Sequence, residues 1–296
     1  MALVLPTYAA TPKNVGSKAC SKCHAPEEEV WYQSKHRSSY KKLHKKKLAQ
    51  QLTAAVGGNK SPKRNKACVG CHYTLVARPG RKRARPREGP SCESCHGPGS
   101  EWVKTHYLLG QFAHSRVETK AHREKRLGPA VRNGMVTANM HFELAEACMR
   151  CHGMANGKLP FWLQEKLVNN GHPVARRFEL VRYSQGTVRH RYYPPSFSNQ
   201  AMSTAELTRL MAVGAAAQYL SAHAALGQAK TDKYKKLQQN RANDAAQILR
   251  KLGMPQAESL MRSPSRSSAK ALTKALANVD LTAKLGRALP PKSSYK

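Results

Sequence analysis

The sequence predicts a mainly α-helical protein with much irregular chain, wrapped around something other than an ordinary side-chain core. Three observations predict it. All eight cysteines fall in four C-x-x-C-H motifs. The chain has 296 residues, a mean hydropathy of −0.62 and only 6% aromatic residues, thin material for a packed interior of that size. Near residue 200 the chain changes character, and helix-capping signals and helical apolar spacing begin.

The motifs are Cys20-Ser21-Lys22-Cys23-His24, Cys68-Val69-Gly70-Cys71-His72, Cys92-Glu93-Ser94-Cys95-His96 and Cys148-Met149-Arg150-Cys151-His152. Two thiols three residues apart lie on one side of a helical turn and reach the two vinyl groups of one porphyrin. The following histidine is then carried over the porphyrin face, where its imidazole binds iron. This is the attachment pattern of c-type haem. Eight cysteines account for four covalently attached haem c groups, with no thiol left over. Four disulfides, or two zinc sites using Cys68, Cys71, Cys92 and Cys95, would also consume cysteines. Neither requires a histidine after the second cysteine of every pair. Four apolar macrocycles supply the missing core, so little sheet and scattered helices are expected before residue 200. The close second and third motifs point to two haems in near contact.

Four regions follow. Residues 1–15 are a residual signal-like or flexible N-terminus. They lack a basic n-region but resemble the end of a signal peptide, with the mature chain beginning near Thr11. Residues 16–200 are the tetrahaem domain. Within it, residues 57–66 form a polar loop, and 78–87 an exposed loop, because Pro and Gly interrupt its cations. Residues 201–255 are a helical hairpin packed on the haem domain. Its first helix runs over 204–226, opened by a Ser203/Glu206 capping box. Its second runs over 232–252, closed by Gly253 and Pro255. Residues 256–296 are a weakly helical, basic arm or a partly disordered tail. No apolar run reaches 18 residues, so nothing spans a membrane.

Nine histidines remain beyond the four proximal ones: His36, His44, His106, His114, His122, His141, His172, His190 and His223. Nine methionines are also present, none in a persuasive ligand context.

The chain resembles the tetrahaem cytochrome c family typified by the electron acceptor of hydroxylamine oxidoreductase. Cys20 to His36 carries the resemblance, with Trp31 and Ser34-Lys35-His36. So do Cys68-Val69-Gly70-Cys71-His72, Gly89 to Gly99, and His141-Phe142-Glu143 before the fourth motif. It covers about residues 16–195. It implies that His36 crosses to the third haem, held by His96, and that His106 returns to the first, held by His24. It implies a downstream ligand for the fourth haem, which His190 fits, with His141 and His172 as rivals. In that family the second iron lacks a sixth protein ligand. Here Asn170-Gly171-His172-Pro173 presents a histidine on a tight turn. His172 caps the second iron or competes with His190 for the fourth.

The formal charge is +34, from 51 basic and 17 acidic residues. Arg78, Arg81, Lys82, Arg83, Arg85 and Arg87 concentrate it within ten residues. Such a field speeds encounter with anionic partners. The leading reading is an electron-transfer protein rather than an enzyme, carrying electrons along bis-histidine haems. Its partners would be acidic redox proteins or other multihaem cytochromes. The alternative is a basic cytochrome that binds a polyanion such as extracellular DNA, with those six cations as phosphate contacts, in a conductive assembly. A homo-oligomer or filament is compatible with either. The third reading is a haem enzyme acting on a nitrogen oxide at an open second iron, which needs a five-coordinate site at His72. Haem attachment outside the cytoplasmic membrane makes the protein exported, periplasmic or extracellular.

Overall fold

The computed structural model describes residues 11–113, 117–174, 178–190 and 199–296. Residues 1–10 of the signal-like segment, and His114, lie outside the described residues. The protein is mainly helical with long irregular stretches, and its only sheet among the described residues is one two-stranded ribbon.

The first half is a succession of short helices. Lys18–Ser21, Ala25–Gln33 and Lys35–Lys42 bury no side chain against protein. By contrast Lys47–Val56 is amphipathic and buries Ala49, Leu52, Thr53 and Val56. Each C-x-x-C pair sits on or beside a helical turn that its own neighbours nucleate. Asn65 caps Lys66–His72 by accepting from the Ala67 N–H. Ser91 and Ser94 form a reciprocal capping box around Cys92–His96. The fourth motif is the last turn of His141–His152. Side-chain caps of this kind satisfy backbone donors that a short helix cannot pair internally.

The ribbon pairs β1 (Thr74–Val76) antiparallel with β2 (Arg85–Glu88), with an irregularity between Thr74 and Leu75. The basic loop of the sequence therefore includes a strand: Arg85 and Arg87 lie on β2, and only 77–84 is the connecting loop. Pro86 is tolerated because β2 pairs on one side only.

The main apolar core lies after residue 200. Thr204–Leu226 and Asp232–Leu252 form the expected hairpin, with the Ser203/Glu206 capping box and Gly253 in the left-handed region at φ 57°. Residues 255–296 form a docked helical segment rather than a disordered tail. Pro255–Arg262, Arg266–Ala275 and Thr282–Leu285 fold back onto the hairpin, and Leu260, Leu272, Leu276, Leu281 and Leu285 are buried between them. The same core takes in Phe142, Ala145 and Met149 of His141–His152, so this helical module is built directly onto the fourth motif. No helix among the described residues is long and apolar enough to cross a membrane.

Candidate haem ligands and their pairing

All eight cysteines are free thiols, and their contacts define an order. Cys20 and Cys92 lie close enough to interact electrostatically, joining the first motif to the third. Cys95 lies close enough to Cys148 for their charges to interact, joining third to fourth. Cys71 and Cys151 lie close enough to interact electrostatically, joining second to fourth. Arg150, inside the fourth motif, also donates to the Ser94 carbonyl of the third. Adjacency in sequence pointed to the second and third motifs as neighbours. The fourth motif touches both of them, through Cys148 near Cys95 and Cys151 near Cys71.

The histidines fall into pairs. The His24 and His106 rings are 6.4 Å apart between centres and inclined by 16°. His36 and His152 are 6.0 Å apart, His72 and His172 5.9 Å, and His96 and His190 6.2 Å. A metal–imidazole nitrogen bond is about 2 Å, and a ring centre lies about 1 Å behind its nitrogen, so two imidazoles on one metal have centres about 6 Å apart. All four pairs have the separation that a shared iron requires. Among the described residues no three of His, Cys, Asp and Glu converge as a metal cage. The donor set is two histidines and two cysteines, four times over, which fits haem c.

Two pairs differ from those the resemblance implied. His36 faces His152 rather than His96, and His190 faces His96 rather than His152. The backbone explains the first. Ser34 caps Lys35–Lys42, and the His36 carbonyl packs on Gly89, where a Cβ would lie 1.9 Å from that oxygen. Trp31 Nε1 donates to the Pro90 carbonyl, and Ser39 Oγ donates to the His72 carbonyl. His36 is thus pinned between the second and third motifs, where the fourth motif stands. His190 sits at the end of a turn whose residue Thr187 donates to the Lys296 carbonyl. His141, once a rival, opens the helix that His152 closes, about 16 Å along the axis.

The neighbours of the rings aim them. His96 Nδ1 lies 2.8 Å from the Val136 carbonyl, His106 Nδ1 3.0 Å from that of Val103, and His190 Nδ1 2.7 Å from that of Val188. A carbonyl only accepts, so Nδ1 carries the proton and Nε2 is left with a free lone pair. Burial lowers the pKa of His36, His96, His106 and His172, and brings His72 and His152 down to about 4. Desolvation disfavours the imidazolium, and the neutral ring is the form that binds a metal.

The remaining described histidines have other company. His122 contacts the Glu118 carboxylate, and His223 packs on Tyr219. The six cations of the ribbon are all exposed.

A C-x-x-C-H motif in a turn of helix, repeated four times with a second histidine opposite each, defines a c-type cytochrome. Residues 19–97 match the family of cytochrome c554 and c-prime. It is 31% identical over 143 residues to cytochrome c-554 of Nitrosomonas europaea, covering 46% of this chain and 56% of that protein. The chain thus spans little more than half the length of this relative. No solved structure matches the chain. The helical module lies outside the family match.

Proposed function

We propose that this chain carries four haem c groups, each between two histidines, and passes electrons along them. The observation that carries this reading is the set of four ring pairs at 5.9–6.4 Å. Bound haem iron supplies a one-electron couple whose exchange makes and breaks no bond. The chain's part is to hold, space and tune. His24 with His106, His72 with His172, His96 with His190 and His152 with His36 would hold the four irons. The eight cysteines fix the attachment points in the order first, third, fourth, second. Burial favours the neutral form of His36, His72, His96, His106, His152 and His172, and backbone carbonyls orient His96, His106 and His190.

His172 decides between carrier and enzyme. It stands on the turn that Gly171 makes at φ 88°, a conformation that favours glycine, and it faces His72. With His172 on the second iron no position is open to a nitrogen oxide. The partner we infer is an acidic redox protein or another multihaem cytochrome, met by the exposed cations of the ribbon. Haem attachment places the protein outside the cytoplasmic membrane.

Two measurements test this. The mass of the purified holoprotein should show four covalent haems, and its ferric spectrum should be wholly low-spin. The reduced protein should not respond to carbon monoxide, whereas His172→Ala should make one iron in four high-spin and able to bind it. Carbon monoxide binding by the unaltered protein would restore the enzyme reading.

A further inference from the structure

The buried Arg241 of the helical module lies against the fourth motif, and no carboxylate among the described residues pairs with it. Arg241 is 4% exposed, and none of the ion pairs among the described residues includes it. Its Nη1 donates to Gln238 Oε1 at 2.6 Å and its Nη2 to Ser221 Oγ at 2.8 Å. Nη2 also meets the Met149 sulfur at 3.5 Å. Met149 is one of the two residues between Cys148 and Cys151. The guanidinium presses on Gly153, the residue after His152, so closely that a Cβ there would lie 2.3 Å from Nη2.

This contact is part of a built face. Tyr234, Gln238 and Arg241 are spaced by four and three residues, so they share one side of Asp232–Leu252. All three are buried. Tyr234 Oη donates to the Met154 carbonyl at 2.5 Å, and Gln238 Nε2 donates to the Gly153 carbonyl at 3.1 Å. Met154 is the only non-glycine among the described residues with positive φ, at 49°. A left-handed methionine persists only where its surroundings hold it, and these two donors do. They also satisfy carbonyls at the C-terminal end of the His141–His152 helix, the negative end of its dipole.

A buried cation is costly unless something negative offsets it. Among the described residues only neutral dipoles and the helix terminus face Arg241. Arg150, the motif's other cation, points to the third motif instead. We propose that Arg241 is a positioning and tuning residue through which the helical module raises the reduction potential of the fourth haem. The inference rests on the reading that Cys148, Cys151 and His152 hold that haem. Oxidation adds one positive charge to the iron, and a fixed positive charge in a low-dielectric site opposes it. The ferrous state is therefore favoured at this iron relative to the same site without the Arg241 charge.

The test is a spectroelectrochemical titration of the full-length holoprotein. His36→Met, which exchanges a ligand of the fourth iron and raises its potential, identifies the fourth wave. Arg241→Met fills the same space without charge. Ser221→Asp leaves the arginine in place and pairs it with a carboxylate where its hydroxyl partner now stands. Both should shift the fourth wave downward and leave the other three in place, and Arg241→Lys should shift it least. An unmoved fourth wave in Ser221→Asp, or four waves moving together, would overturn the proposal. Should Arg241→Met fail to fold, Ser221→Asp alone decides. A holoprotein with only three haems would overturn the underlying haem reading as well; four haems with no shift would overturn this proposal alone.

Discussion

Arg126 ties His106, the proposed partner of His24 at the first haem, to the chain around it. It donates to the His106 carbonyl, and it is itself held by Glu118 through Nε at 2.7 Å and Nη2 at 2.6 Å. The Glu118 side chain is fully covered, and His122 and Arg123 complete its surroundings. The Arg126 guanidinium, then the His122 ring, hold the Glu118 carboxyl down to about 2. A free glutamate titrates near 4.3. The folded pKa is depressed, so the stability this carboxylate contributes is present above about pH 4.3 and lost as pH falls toward 2. Glu118→Gln should therefore unfold in less denaturant than the wild type at pH 7, and the gap should close as pH approaches 2. Denaturant titrations of both holoproteins across that range check it. A gap of constant size would mean that packing, not charge, holds the site.

What could be read at the scale of elements depended on how local the determinants were. Cysteine pairs and proximal histidines are read from five consecutive residues, because one helical turn sets the geometry. The Thr204–Leu226 and Asp232–Leu252 helices were legible to the residue, since Ser203, Glu206 and Gly253 mark their ends. Which distal histidine meets which iron was not legible. His36 is set opposite His152 by its own carbonyl packing on Gly89 and by Trp31 bonding Pro90, contacts more than fifty residues apart in sequence. The helices after residue 254 were read too weakly for a different reason. They are 8, 10 and 4 residues long, below the length at which an isolated helix is stable. Only packing on the hairpin makes them persist, and their leucines are too sparse to show it in a single window. Leu272, wholly buried on Arg266–Ala275, should show that dependence. Leu272→Ala should cost about 2–5 kcal/mol in chemical denaturation. Because one core joins the module to Phe142 and Met149, the variant's loss of helix signal should coincide with a spectral change at one haem. Separate transitions would show the module to be an independent domain.

At the scale of the whole molecule the unbalanced quantity is charge. A net +34 acts on any anionic partner before contact, and its densest exposed part is the ribbon between the second and third motifs. The ribbon's base is fixed: Thr74 Oγ1 donates to the Gly89 carbonyl, and the Ser91 N–H donates back to Thr74 Oγ1. The loop at its tip carries Arg78, Arg81, Lys82 and Arg83, with strand residues Arg85 and Arg87 behind them. Cations on a rigid base beside two attachment sites would steer an acidic protein to those haems, and steering of this kind multiplies association rates by about 10–1,000 at low salt. Replacing Arg78, Arg81, Lys82 and Arg83 by Gln should slow electron exchange with an acidic redox protein at least about tenfold in dilute buffer. The two proteins should converge as salt rises toward 1 M, where the screening length is about 3 Å, and the potentials should stay unchanged. Duplex DNA of scrambled sequence distinguishes the polyanion alternative. Binding that survives about 0.15 M salt, with a log–log salt slope reduced by about 0.9 for each cation lost from a phosphate contact, would make nucleic acid the partner of the ribbon. Loss of DNA binding well below that salt, with the rate effect on the acidic protein intact, would assign the same cations to redox docking.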